Sequence, residues 1–248
     1  MKIRIVIPTN RDQVTLERLG QKYSQVSRNN VEISFSCISN GLDLQRPYHE
    51  IIPLLPEVIY KIKEAEKEGV DAVVIAHYLD LGLAGARELV SIPVLGSGHT
   101  TFRLASVLSR SISIITSVQS HVGPIEAILS AEGVLSKVVS IRSFELNQQD
   151  KKDVPDRCPE SLLNLSRTVV ESDGSNLIVL ALNGYKNYSN QVKEYLLKNK
   201  NPIQVLDPLN VTIKHAENVV DMKLSHSKIT YPKPEIREII GYDHLQFK

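Results

Sequence analysis

The sequence predicts an α/β fold of two pseudo-symmetric lobes, each a parallel sheet flanked by helices, with a cleft between them. Three observations carry that prediction. Short β-rich runs alternate with longer amphipathic stretches, the pattern of strands joined by crossover helices. Some of those runs, Val74-Ile75-Ala76 most clearly, lack any polar alternation, as strands buried on both faces do. The second half then repeats the grammar of the first, which reads as a diverged duplication.

In chain order, strands are expected over residues 2–8, 31–38, 72–76 and 94–96, with helices over 14–26, 47–68 and 83–90. The stretch 53–68 is the best-marked helix, with Ile59, Ile62 and Ala65 at helical spacing and Lys and Glu on the other side. The second half offers strands over 111–116, 138–142, 177–182 and 203–206, and helices over 124–132, 160–172, 189–199 and 208–220. The repeat pairs 3–10, ending in Thr-Asn, with 111–117, ending in Thr-Ser. It also pairs 72–77, leading to Tyr78, with 177–183, leading to Gly184-Tyr185. Lobe 1 is assigned to residues 1–97 plus 209–248 and lobe 2 to residues 98–208. Ligands of open parallel sheets sit beyond the carboxyl ends of the strands, so the residues just after each strand are the candidates for function.

Composition narrows the classes. A chain of 248 residues, 42% hydrophobic and 23% charged, can fill one large core or two smaller lobes. A net charge of +1 gives no reason to expect nucleic acid or an anionic membrane as partner. No apolar run approaches the roughly 18 to 20 residues of a membrane span. The start, MKIRIVIPTNR, enters a strand without the apolar region of a signal peptide, so a cytoplasmic location is expected. Of the two cysteines, Cys37 falls in a strand and Cys158 in the polar stretch 147–160, read as a loop. They make neither a disulfide framework nor a zinc knuckle, and neither has a thiolate-activating context.

Pro8-Thr9-Asn10-Arg11 and Thr116-Ser117 each join a strand to a helix. Hydroxyls and backbone N–H groups there suit a carboxylate or a ring carbonyl, or else only cap the helix. His77 directly follows the most buried strand. It can act as acid or base near neutral pH, or can simply be a hydrogen-bonded strand-end histidine. Tyr78 and Asp80 are near enough in sequence to orient it. Gly96-Ser97-Gly98-His99-Thr100-Thr101 reads as a loop, with Thr100 or Thr101 capping the next helix and His99 a second polar group in the cleft. It is neither a Walker A loop nor a dinucleotide fingerprint. His77, His99 and Asp80 match no compact metal motif, and there is no Gly-x-Ser-x-Gly elbow. Neither metal nor cofactor is expected.

Several segments resemble the aspartate/glutamate/hydantoin racemases. VDAVVIAHYLDLGLAGARE at 70–88 resembles their first catalytic segment, and IQVLDPLNVTIKHAE at 203–217 their last strand, Asp turn and helix. LSHSKITYPKPEIREIIGY at 224–242 resembles the hydantoin racemase C-terminus. With 2–10 and 111–117 in register, the resemblance covers nearly the whole chain. It implies two cysteines facing each other across the cleft, one removing the α-proton and the other delivering a proton on the opposite face. The resemblance places these at His77 and Leu182, and neither is cysteine here. His77 can still move a proton, whereas Leu182 cannot.

The resemblance therefore implies a cofactor-independent isomerase or lyase, acting on a small carboxylate or hydantoin-like ring by one-sided proton transfer through His77. Thr9, Asn10, Thr116 and Ser117 would hold the substrate, with Pro8, Gln45, Arg46, Tyr78, Leu182 and Gly184 around it. Asn183 or Tyr185 would donate a hydrogen bond from the opposite lobe, and His99 would be a second acid. Two alternatives stand beside this reading: a catalytically inactive small-molecule-binding paralogue, and a racemase with a non-cysteine base pair. The expected partner is a small-molecule substrate, not nucleic acid or membrane. A C-terminal segment with Pro232 and Pro234 could reach the other lobe or a neighbour in a homo-oligomer.

Overall fold

In a computed structural model, residues 1–10, 13–39, 47–145, 157–182 and 188–235 are described. They form two units. One comprises Met1–Asp43, His49–Ser97 and Thr212–Lys248, and the other Leu44–Tyr48 and Gly98–Val211.

The first unit holds β1 (Lys2–Ile7), α1 (Gln13–Ser24), β2 (Glu32–Cys37), α2 (Tyr48–Ile51), α3 (Leu55–Lys67), β3 (Ala72–Ile75), α4 (Leu83–Leu89) and β4 (Val94–Gly96). Its four strands are parallel in the order β2-β1-β3-β4. Chain order continues with α5 (Ser97–Leu108), β5 (Ile112–Thr116), α6 (Val122–Ala131), β6 (Val138–Ser143), α7 (Glu160–Glu171), β7 (Leu177–Ala181), α8 (Tyr188–Lys198), β8 (Gln204–Leu206) and α9 (Pro208–Asp221). The second sheet is also parallel and has the order β6-β5-β7-β8. In each sheet the second strand of the repeat lies at the edge and the first and third are central. The α/β class and the repeated grammar read from the sequence are thus both present.

Burial explains why the central strands were legible. Every residue of β3, β5 and β7 is buried, so helices cover both faces and the sequence has no polar face to alternate with. The edge strand β6 keeps exposed and half-buried positions. On α3 the buried stripe is Val58, Ile62 and Ala65, each 0% exposed. It is shifted one residue from the expected Ile59, which is half-buried. Each such Val or Ile contributes about 1.5 to 3 kcal/mol of burial.

Two expectations need correction. The single helix expected over 47–68 is divided into α2, a 3₁₀ turn at Ile52–Leu54 and α3. Pro53 has no N–H to donate and its ring crowds the carbonyl four residues back, so α2 cannot continue. Pro56 is tolerated because it sits in the first turn of α3. The loop expected over 96–101 is instead the end of β4 running straight into α5. Ser97 Oγ donates to the Ile75 carbonyl at 2.6 Å, tying the first residue of α5 to β3. Thr101 is fully buried and donates to the Pro208 carbonyl at 3.3 Å, so it is part of the packing and not a cap.

The described part of the C-terminal segment, to Glu235, lies on its own unit. Lys228 Nζ donates to the carbonyls of Arg87 at 2.7 Å and Val90 at 2.6 Å, which lack partners within α4. His226 Nε2 accepts from Val94 N at 2.8 Å, and the Tyr231 hydroxyl accepts from Arg87 at 3.1 Å. Among the described residues no helix is long and apolar enough to cross a membrane.

Candidate active site

In the first unit, the polar residues of interest lie just past the adjoining strands β1 and β3. Ala76 N still donates to the Val6 carbonyl at 2.9 Å, extending the ladder one step past β3, and His77 comes next. His77 is 1% exposed. Its carbonyl accepts from Asp80 N at 3.0 Å, and its ring Nδ1 accepts from Leu79 N at 3.1 Å. The Tyr78 ring stacks on the imidazole at 5.0 Å between centroids. One tight turn therefore fixes both the backbone and the ring of His77.

Asp80 holds that turn open on its far side. It takes a left-handed φ of 51°, a conformation Asp tolerates better than most residues, and its carbonyl accepts from Leu83 N at 3.0 Å as α4 begins. Its carboxylate lies against the Gly96 backbone. A Cβ at Gly96 would come within 2.8 Å of Asp80 Oδ2 and closer still to the carboxyl carbon. That close approach is what requires glycine at the end of β4. Tyr78 thus meets the His77 ring by stacking, and Asp80 meets the His77 carbonyl through its backbone N–H.

Beside this turn, β1 is followed by Pro8 and Thr9, both buried. Thr9 is 2% exposed, and its Oγ1 has no hydrogen-bond partner among the described residues. Leaving a buried hydroxyl unpaired costs about 1 to 3 kcal/mol, which makes it a natural partner for a ligand acceptor or donor. Asn10 Nδ2 is committed elsewhere, donating to the Ser39 carbonyl at 2.8 Å and linking the ends of β1 and β2.

In the second unit, Thr116 closes β5. It is fully buried, its carbonyl accepts from Phe144 N at 3.0 Å, and its Oγ1 accepts from Val118 N at 3.4 Å. Ser117 beside it is half-buried. The chain then makes a 3₁₀ turn at Gln119–His121 before α6. His121 is 0% exposed and was not singled out as a site residue from the sequence. Nothing in its local pattern signals burial, since a three-residue turn has no periodicity to read. At the end of β7, Leu182 N donates to the Leu180 carbonyl at 2.8 Å, and the side chain packs against the cluster that includes Ile178, Leu180 and Val192. Asp207 Oδ1 accepts from Leu209 N at 3.0 Å and Asn210 N at 3.1 Å, and so caps α9.

His99 lies in the first turn of α5, where Nδ1 is 2.7 Å from Glu132 Oε1, and Arg103 holds the other oxygen of the same carboxylate. Glu132 terminates α6, which runs back from the Thr116 end for about 15 Å. His99 is thereby drawn toward the end of α6 remote from Thr116 and Ser117. Cys158 is 3% exposed, and burial pushes its thiol up to about 12, so it offers no thiolate near neutral pH. Among the described residues no group of three His, Cys, Asp or Glu side chains is arranged to hold a metal ion. Gln45, Arg46, Asn183, Gly184 and Tyr185, with Arg11, lie outside the described residues.

Two parallel four-stranded sheets, with hydroxyl and imidazole groups at or just past the carboxyl ends of their central strands, define an α/β scaffold of repeated βα units. The chain belongs to the Asp/Glu/hydantoin racemase family, whose model matches residues 15–216. It is 28% identical to the hydantoin racemase of Pseudomonas sp. (strain NS671) over 242 residues, 97% of this chain and 95% of that protein. In fold it is similar to the allantoin racemase from Klebsiella pneumoniae, with a TM-score of 0.87 at 23% identity, covering 98% of this chain and 97% of that one. Unliganded arylmalonate decarboxylase shares the fold more distantly, with a TM-score of 0.60 at 16% identity over 88% of this chain and 92% of that one.

Proposed function

We propose that the protein is a cofactor-independent isomerase or lyase of its family, acting on a small carboxylate or hydantoin-like ring by one-sided proton transfer at His77. The observation that carries this reading is a buried imidazole, fixed by its own turn, just past the carboxyl end of the central strand β3. The Thr9 hydroxyl, past the adjoining strand β1 and without a partner among the described residues, supports a role in holding the carbonyl or carboxylate end, with Thr116 and Ser117 as further hydroxyls. Backbone donors would stabilise the enolate as charge develops. Asn183 or Tyr185 would add a donor, and Gln45, Arg46 and Gly184 would line the pocket. The Glu132 ion pair favours a structural role for His99 over that of a second acid.

A solvent-deuterium experiment tests this. Candidate hydantoins, amino acids and 2-oxo or 2-aryl acids are incubated in D₂O with the wild type and with His77→Ala. The reading expects deuterium in substrate or product without inversion, and a loss of about 100- to 10,000-fold in His77→Ala. Exchange with inversion would point to a racemase with a non-cysteine base pair. The packing of Leu182, an inert side chain where the sequence resemblance implies an acid, favours one other reading, a non-catalytic binding paralogue. That reading expects binding without exchange.

A further inference from the structure

We infer that His77 works from one neutral tautomer, with its proton on Nε2, and so delivers a proton to a carbanion and does not take one from carbon. The role, unlike the tautomer, rests on the proposed function, because it requires His77 to meet the substrate. The geometry is local and specific. Leu79 N–H points at Nδ1 at 3.1 Å, and an amide does not give up its proton. The nitrogen that accepts it must present a lone pair, which leaves Nε2 as the protonated nitrogen of the neutral ring.

The alternatives are each disfavoured by something in the same turn. An imidazolium would set an N–H on Nδ1 against the Leu79 N–H, and the residue is 1% exposed, so the charged form loses that bond and is held away from water. Rotating the ring by half a turn keeps the stack on Tyr78 but exchanges Nδ1 for a carbon and forfeits the Leu79 bond. The turn itself is held by the Asp80 N to His77 carbonyl bond at 3.0 Å and by the left-handed Asp80 packed on Gly96. A histidine built as a base has the reverse arrangement. There, a carboxylate or carbonyl accepts Nδ1–H and leaves the Nε2 lone pair for the substrate. In His77 an amide donor occupies that place, which is how a neutral imidazole is kept as a donor.

Proton delivery balances in atoms and electrons. The Nε2–H bond breaks, a C–H bond forms on the carbanionic carbon, and the electron pair left on the imidazolate is reprotonated by water. The carbanion's own pair must come from a bond other than that C–H. In the lyase branch it is the C–C bond to a carboxylate, which leaves as CO₂ while the pair delocalises into the remaining carbonyl. Of the two branches, this favours the lyase.

Two measurements test the inference on the full chain. In protein labelled with ¹⁵N in its histidine rings, long-range ¹H–¹⁵N correlation at neutral pH should show His77 Nδ1 unprotonated and Nε2 protonated, the signals being assigned by their loss in His77→Gln. A protonated Nδ1, in either the other tautomer or the imidazolium, overturns the inference whether or not a substrate is known. With a substrate that turns over in D₂O, deuterium should appear in product but not in recovered substrate. Wash-in at the substrate carbon that depends on His77 would overturn the delivery role. His77→Gln keeps a donor near the Nε2 position but cannot transfer a proton, so kcat should fall at least about 100-fold with KM within about threefold. If no candidate is turned over, the proposed function fails while the tautomer result still stands or falls on the spectrum.

Discussion

β3 and β7 occupy the same place in their two sheets, third in the order, and both are buried along their whole length. Their carboxyl ends differ. After β3 the chain folds a tight turn in which an amide, a stacked ring and a left-handed aspartate all bear on His77. After β7 it presents Leu182, packed into the apolar cluster of its own unit. One strand end has been shaped around an ionisable ring and the other has been absorbed into packing. Duplicated topology therefore keeps the scaffold equivalent while the two strand ends differ, as the proposed one-sided proton transfer requires.

The comparison is broken most directly through Gly96. Gly96→Ala drives a methyl into the Asp80 carboxylate and should destabilise the protein by about 1 to 3 kcal/mol, as overpacking does. Because the displaced group belongs to the turn that holds His77, activity should fall as well. Asp80→Gly removes the carboxylate and still accommodates the φ of 51°, so in that background Gly96→Ala should cost less than about 0.5 kcal/mol. Urea unfolding of the four proteins of this cycle measures the coupling. Additive effects would mean that the turn is held in some other way.

The sequence made the scaffold legible for a physical reason. Strands covered on both faces must be continuous apolar runs, and β4 at Val94–Gly96 has the expected bounds. Failures came where tertiary contacts outweigh local preference. Gly98 disfavours helix by about 1 kcal/mol, yet Ser97 bonded to Ile75 and buried Thr101 hold α5 in place from its first residue. Pro53 divided a helix whose periodicity ran through it. At the site, His77 could be picked out because a polar ionisable residue directly after a buried strand is visible in one dimension. The acceptor role of its Nδ1 could not, because it depends on where the Leu79 amide points within the turn. The burial of His121 was equally invisible, and His99 had no visible link to Glu132, 33 positions away.

A second test sharpens the contrast from the β7 side. Leu182→Ala should cost about 1 to 2 kcal/mol, less than truncation of a fully buried leucine, because the side chain is only partly buried against its cluster. If its part is packing, turnover of an identified substrate should change by less than about threefold, in contrast to the loss expected for His77→Ala. A large activity loss with unchanged unfolding would mean that β7 also ends in a working residue, and the asymmetry would be gone.

The smallest effect is expected at the cysteines, where the two units again differ. Cys158 is buried in the second unit, its backbone N–H donating to Gln191 Oε1 at 2.8 Å, and burial pushes its thiol up to about 12. Near neutral pH it is therefore a protonated, enclosed thiol, whereas Cys37 is half-buried at the end of the edge strand β2. An alkylating reagent followed by peptide mass spectrometry should label Cys158 only when urea unfolds the second unit, its labelling tracking the unfolding curve. Cys158→Ala should leave turnover within about twofold of wild type, since a thiol with so raised a pKa supplies neither nucleophile nor base. Rapid labelling of Cys158 in the folded protein, together with loss of turnover, would restore a cysteine to the chemistry and move the working group out of the first unit.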